Sequence, residues 1–144
     1  IQTLAVRMDR AQENAAGIVE WLLGQKRVTK VIYPGLKSHP GYEIMKRQSR
    51  GFGAMITFDV DHKEFAKYLL RNVKLIRFAE SLGGTETLLT YPLTQTHADV
   101  PANELEKNVI TDRTLRFSVG IENIKDLIGE LEALFKAGEE KYHG

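Results

Sequence analysis

Alternation between apolar and polar positions constrains this chain more than any other feature. Phe52, Ala54, Ile56, Phe58 and Val60 fall on one side of an extended strand, with Met55, Thr57 and Asp59 opposite. Leu115, Phe117 and Val119 repeat the pattern, with Arg116 and Ser118 on the other side. A strand with a single apolar face needs a layer to cover it, and the chain supplies that layer as helices. From Ile1, Leu4, Met8, Ala11, Ala15, Ile18 and Leu22 recur at three- and four-residue spacing, which predicts a long helix stopped near Gly24. Ile124, Leu127, Ile128, Leu131 and Phe135 draw a last helix, after which Gly138 to Gly144 is polar and expected to fray.

Between them the β-branched run Val28 to Tyr33 reads as a strand ended by the turn Pro34-Gly35. Tyr42 to Gln48 reads as a short helix closed by Gly51. Asp61 with Glu64 suggests a capping box opening a helix whose inner stripe is Phe65, Tyr68 and Leu69. Short strands are expected at Leu75 to Phe78 and at Thr87 to Tyr91, the second ended by Pro92. Leu93 to Asp112 carries turn formers and little periodicity beyond a helical turn around Asn103 to Asn108, and a stretch this long is where a binding loop would sit. The order predicts an α+β fold, helices packed on a mostly antiparallel sheet with one buried face.

A length of 144 residues, 42% hydrophobic, suits one domain with one core. Twenty basic against nineteen acidic side chains leave a net charge of +1 with no run of either sign, which argues against nucleic acid as a partner. No apolar stretch approaches the roughly 20 residues that span a bilayer, so no membrane partner is expected. The absence of cysteine removes disulfides, thiolate catalysis and thiolate metal sites, and fits a cytoplasmic location. The chain opens on a helical face without Met, which suggests a piece of a longer protein. Neither an internal repeat nor a low-complexity segment is present.

Few residues stand out as chemical. Arg116, on the polar face of its strand, either extends to solvent, pairs within the structure, or meets a planar anion that its donor fork matches. Glu80-Ser81-Leu82-Gly83-Gly84 can bring backbone N–H groups to an anion or simply turn the chain, and it lacks the spacing of a dinucleotide fingerprint or P-loop. Thr94-Gln95-Thr96-His97 gathers polar groups, yet no second ligand stands at metal spacing. His39, His62 and His143 fall in a turn, at a helix start and in the tail. No Gly-x-Ser-x-Gly elbow supports a hydrolase. Trp21 and the tyrosines suit packing.

Taken in order, several segments resemble one family. AESLGGTETLLTYPLTQTHADVP (Ala79 to Pro101) and ITDRTLRFSVGIENIKDLIGELEALF (Ile110 to Phe135) resemble the C-terminal domain of the Cys/Met-metabolism enzymes that use pyridoxal phosphate, the cystathionine γ-synthase, γ-lyase and methionine γ-lyase group. LAVRMDRAQENA (Leu4 to Ala15), YPGLKSHPGYE (Tyr33 to Glu43) and SRGFGAMITFDV (Ser49 to Val60) match the same family upstream.

The resemblance implies the small C-terminal domain of a fold-type I enzyme, occupying 1–144, with residues 1–24 as a long helix leading in from a cofactor-binding domain absent here. It implies that Arg116 binds the substrate α-carboxylate, that Ser81 lies beside it, and that Glu80 and Thr96 line the substrate pocket, Glu80 being a mark of the cystathionine enzymes. The family's Ser-x-Thr-Lys motif with the cofactor lysine does not occur here, and Thr29-Lys30 lies where the family has no cofactor contact. Pyridoxal 5'-phosphate is therefore expected in the full-length enzyme and not on this chain alone, which should be inactive by itself. The implied partners are a small amino-acid substrate, the cofactor domain and a homotetramer. Thr90 to His97 reads closest to cystathionine γ-synthase, with the γ-lyase, β-lyase, methionine γ-lyase and O-acetylhomoserine sulfhydrylase as alternatives within the family and a stand-alone binding module as one outside it.

Overall fold

The computed structural model describes residues 2–95 and 110–142. Helix α1 (Leu4–Leu23) is followed by strand β1 (Val28–Ile32), helix α2 (Tyr42–Gln48), β2 (Met55–Val60), α3 (Lys63–Asn72), β3 (Arg77–Phe78), β4 (Leu88–Thr90), β5 (Thr114–Ser118) and α4 (Ile124–Lys141). The sheet is five-stranded in the order β1-β2-β5-β4-β3. Every pairing is antiparallel except β3 with β4. The expected α+β class and the expected element order are both observed, as is the mostly antiparallel sheet. Among the described residues, no helix is long and apolar enough to cross a membrane. The helical turn expected around Asn103 to Asn108 lies outside the described residues.

The core sits between the sheet and α1, α3 and α4. Ile56, Phe58 and Val60 from β2, Leu115 and Phe117 from β5, and Val119 just after it meet Ile18, Leu22, Phe65, Leu69, Leu127 and Leu131. Phe58 and Phe117 stack across the β2–β5 pair at 5.2 Å, while Phe135 meets both Trp21 and Phe65 edge-on. Helix α2 has no buried residue; Tyr42 at its start stacks on Phe52 at 5.2 Å instead.

Several expectations are corrected by competing bonds. The strand at 52–60 begins only at Met55, because Gly53 has φ +75° and breaks the extended run. The strand expected from Leu75 shrinks to Arg77–Phe78, since the N–H groups of Lys74, Leu75 and Ile76 donate to the Glu130 carboxylate of α4 rather than to a neighbouring strand. His62 rather than Asp61 caps α3, its Nδ1 accepting from Glu64 N–H at 3.4 Å. Asp61 is committed elsewhere, to Arg27 Nε at 2.9 Å. The tail does not fray at Gly138: α4 continues to Lys141, with Gly138 buried and its carbonyl accepting from Arg27 Nη1. The sheet also has more than one buried face, as Asp59, Thr90, Thr114 and Ser118 on the polar side are buried too.

Arg27 ties the far end of this architecture together. Its Nη1 also donates to the Tyr142 carbonyl at 3.0 Å, and its guanidinium lies 4.2 Å over the Phe65 ring. Replacing it with Met removes four polar contacts and strands the Asp61 carboxylate, a loss of about 3 kcal/mol. A lowered denaturant midpoint with unchanged slope is the expected result.

Burial raises the pKa of Tyr33, whose hydroxyl donates to the Gly53 carbonyl. It raises that of Tyr91 too, with Asp112 and Glu64 adding to the effect. A raised pKa in the folded state favours the neutral phenol, so this contribution is complete below the unfolded value near 10 and is lost as pH rises through the folded value. Unfolding free energy should therefore be flat across neutral pH with respect to these groups and decline above about pH 10, and Tyr33→Phe should shrink that alkaline decline in a chemical-denaturation series.

Candidate functional site

The polar face of the sheet is organised around β5. Thr114, Arg116 and Ser118 point away from the core, opposite Asp59, Thr57 and Met55 of β2, and Arg116 and Ser118 also stand opposite Thr90 and Leu88 of β4. A strand with hydrogen-bonded partners on both sides is held firmly, and its polar side chains need partners of their own. Thr114 Oγ1 donates to Asp59 Oδ1 at 2.6 Å. Ser118 Oγ accepts from Gly83 N–H at 2.9 Å. Arg116 differs: its Nε is buried and has no hydrogen-bond partner among the described residues.

The Gly83 contact brings the loop and the strand together. Residues 79–87 connect the parallel pair β3 and β4, and they pass over the end of β5 on its polar side. Gly83 takes φ +73°, a conformation suited to glycine. The return of the loop is fixed by Thr87, wholly buried, which donates from its N–H and its Oγ1 to the Glu122 carboxylate while its Oγ1 accepts from Gly120 N–H at 2.9 Å. Gly120 has no room for a side chain, because a Cβ there would lie 2.3 Å from the Thr85 carbonyl oxygen. The Ser-Val-Gly glycine after Arg116 thus permits the close passage of this loop.

Helix α1 holds both parts. Asn14, buried, donates from Nδ2 to the carbonyls of Gly120 and Glu122 at 3.0 and 2.8 Å. Arg7 Nη1 donates to the Gly83 carbonyl at 3.3 Å. A cavity of about 200 Å³ opens between α1 and the loop, walled by Met8, Ala11, Met55, Leu82 and Val119 with Arg7 and Ser118 at its polar side. Sequence reading passed over Asn14, although a polar residue inside the apolar stripe Ala11, Ala15, Ile18 is a readable sign. Arg7, Thr87 and Glu122 gave no such sign, since their partners are remote in sequence.

Of the residues expected to bind substrate, Arg116 lies at the centre of β5, and Glu80 and Ser81 lie in the loop, both exposed and close in sequence to the anchored Gly83. Thr96 and His97 lie outside the described residues. The face carries the Arg116 guanidinium between the hydroxyls of Thr114 and Ser118. None of the residues of β2, β4 and β5 is a lysine, and Lys30 is exposed on the edge strand β1. Among the described residues, no group of three or more His, Asp or Glu side chains is placed to hold a metal.

The family model described as Cys/Met metabolism PLP-dependent enzyme matches residues 1–136. The chain belongs to this family. It is 47% identical to an L-methionine γ-lyase of Fusobacterium nucleatum over 92% of its own length and 34% of that protein's. It is also 47% identical to a cystathionine γ-lyase of Dictyostelium discoideum, over 91% of itself and 34% of the relative. Among solved structures, a cystathionine γ-synthase from Xanthomonas oryzae pv. oryzae in complex with aminoacrylate and cysteine superposes with a TM-score of 0.92 at 38% identity, covering 97% of this chain and 36% of that one. The chain thus spans about a third of the length of the family members it matches.

The clamp formed by Thr87 and Glu122 makes a quantitative prediction. Glu122→Ala and Thr87→Val should each destabilise the chain by about 1–3 kcal/mol, because each leaves buried polar groups unpaired. The double variant should cost little more than the worse single one. A double-mutant cycle by thermal or urea unfolding measures that coupling, and simple additivity would show that the two side chains act independently.

Proposed function

We propose that residues 1–144 are the substrate-carboxylate-binding C-terminal domain of a longer pyridoxal-phosphate-dependent enzyme of sulfur amino-acid metabolism, with residues 1–24 leading in from a cofactor-binding domain. The observation that carries this reading is the buried, unpaired Nε of Arg116 on a central strand bonded along both edges. A guanidinium presents two parallel donors to a carboxylate, and a donor already desolvated gains more from that anion than one in water. Held there, the α-carboxylate fixes the orientation of the substrate's Cα, which decides which of its bonds is aligned for cleavage. Ser81 and Glu80, on the loop anchored through Gly83, stand beside that carboxylate, and Thr96 joins them in the pocket. The cofactor supplies an electron sink for chemistry at the substrate carbons and is held by residues outside this chain. The whole enzyme assembles as a homotetramer in the cytoplasm.

Within the family, the reaction proposed is that of cystathionine γ-synthase, in which the thiol of cysteine replaces the acyl-oxygen leaving group at the γ-carbon of an O-acylhomoserine. The wording of Thr90 to His97 and the presence of Glu80 support it, as does the likeness to the Xanthomonas synthase. A second reading, cleavage of a sulfur amino acid by a γ- or β-lyase, is favoured by the 44–47% identity to curated lyases. Incubating the longer enzyme with O-acetyl- or O-succinyl-L-homoserine plus L-cysteine, and separately with L-cystathionine, distinguishes them. Cystathionine formed in the first reaction supports the synthase; oxo-acid and ammonia released only in the second supports a lyase.

The role of Arg116 is tested on the same enzyme. Arg116→Lys keeps the charge and loses the fork, so KM for the amino-acid substrate should rise roughly tenfold to a hundredfold, with a smaller change in kcat. An unchanged KM would reject carboxylate binding at this residue.

A further inference from the structure

Arg7 of α1 reaches the loop that follows β3. Asn14, seven residues on and on the same helix face, locks α1 to the turn after β5 through two backbone carbonyls. Arg7 contributes one bond, from Nη1 to the Gly83 carbonyl, while its Nε is buried without a partner among the described residues. Arginine on a helix surface ordinarily lays its stem on apolar neighbours and leaves its donors in water. Here a donor has been taken out of water to bring another onto a loop carbonyl, an arrangement that makes sense where the loop's position matters.

The loop has few other restraints. Glu80, Ser81, Leu82, Gly83 and Gly84 are all exposed and contribute little packing. Among the described residues, two hydrogen bonds tether the segment 80–84, and both are made by Gly83: its N–H to Ser118 Oγ and its carbonyl from Arg7. Nothing lies within 4 Å of the position a Gly83 Cβ would take, so that side of the residue faces open space. A loop with two adjacent glycines is costly to order, and these two bonds from opposite sides do the ordering.

We propose that Arg7 is a positioning residue for the carboxylate site. It sets Gly83 from the α1 side, and through Gly83 it sets Ser81 and Ser118, the latter two residues from Arg116. It acts through the loop and touches no substrate. The inference rests on the reading of Arg116 as the carboxylate anchor. Its rival is a purely structural Arg7 that fastens α1 to the sheet.

The test uses the longer enzyme as wild type, Arg7→Met, which keeps the apolar stem and loses every donor, Arg7→Lys, which restores one donor, and Arg116→Lys. Two quantities are read: hydrogen–deuterium exchange in peptides covering 79–88 and 114–119, and KM and kcat with L-cystathionine or with O-acetyl-L-homoserine plus L-cysteine, whichever pair the enzyme turns over. In Arg7→Met, exchange at 82–85 should quicken about tenfold, as the loss of a bond from a charged donor implies. Exchange in β5 should be unchanged, KM should rise about fivefold to tenfold, and kcat should move less than about twofold. Arg7→Lys should recover a substantial part of the KM effect. Unchanged loop exchange or unchanged KM in Arg7→Met overturns the proposal, and so does faster exchange in β5 to the same degree, the mark of a structural role. The parent reading fails separately: if Arg116→Lys leaves KM unchanged, carboxylate binding at Arg116 is rejected, whereas Arg7's hold on the loop is still decided by exchange.

Discussion

Strand β5 must satisfy two environments with alternate side chains, and the rest of the structure is arranged around that requirement. Leu115 and Phe117, with Val119 just past the strand's end, are at most 2% exposed and join the helices in the core. Thr114 and Ser118 are equally buried on the opposite face. Burying hydroxyls costs free energy unless each finds a partner. Asp59 from β2 serves Thr114, and the loop amide of Gly83 serves Ser118. The strand's own backbone is engaged on both edges, by β2 and by β4. Arg116 therefore stands on a fixed base between two satisfied neighbours, which is the pre-organisation a recognition residue needs.

The path of the chain from β3 to β4 follows from the same strand. Parallel neighbours usually need a crossover of about a dozen residues or more, commonly through a helix. Here the two paired positions of β3 are so few that the residues 79–87 suffice, provided they turn back directly over the end of β5. That path brings the backbone at Thr85 and Glu86 against Gly120, where any side chain would collide. It also presents Glu80 and Ser81 on the outer side of the loop. A sheet connection and a candidate site are thus produced by one segment, and the close approach at Gly120 serves both.

Much of this was legible in the sequence, and the parts that were not share a cause. Strand alternation separated Arg116 from the core, and helical spacing located α1 and the start of α4, because both signals are periodic and local. The boundaries failed where a remote side chain captured a backbone group. Glu130 took the N–H groups that would have begun β3, and Arg27 drew Asp61 away from the helix start and held α4 at Gly138. The pairing of Thr87 with Glu122 and of Arg7 with Gly83 was equally hidden, since residues 35 and 76 positions apart leave no mark on each other's neighbourhood. The resemblance to the family named Ser81 and Glu80 without these supports, so it supplied the residues and the structure supplied what holds their loop.

Arg27 and Arg116 show how the same side chain can serve opposite ends. Arg27 is 8% exposed and its donors meet Asp61 and two carbonyls, with the Phe65 ring against its plane. Such a guanidinium gains nothing from an incoming anion, because its bonds are already made and any newcomer would have to displace them. Arg116 stands on the polar face with its Nε desolvated and unpaired. An unpaired buried donor costs about 1–3 kcal/mol, and an arriving carboxylate removes that cost while adding a charge-assisted bond. On the proposed reading, the stability that the fold forgoes at Arg116 would be recovered as affinity for the substrate carboxylate, which a fully paired arginine such as Arg27 could not offer.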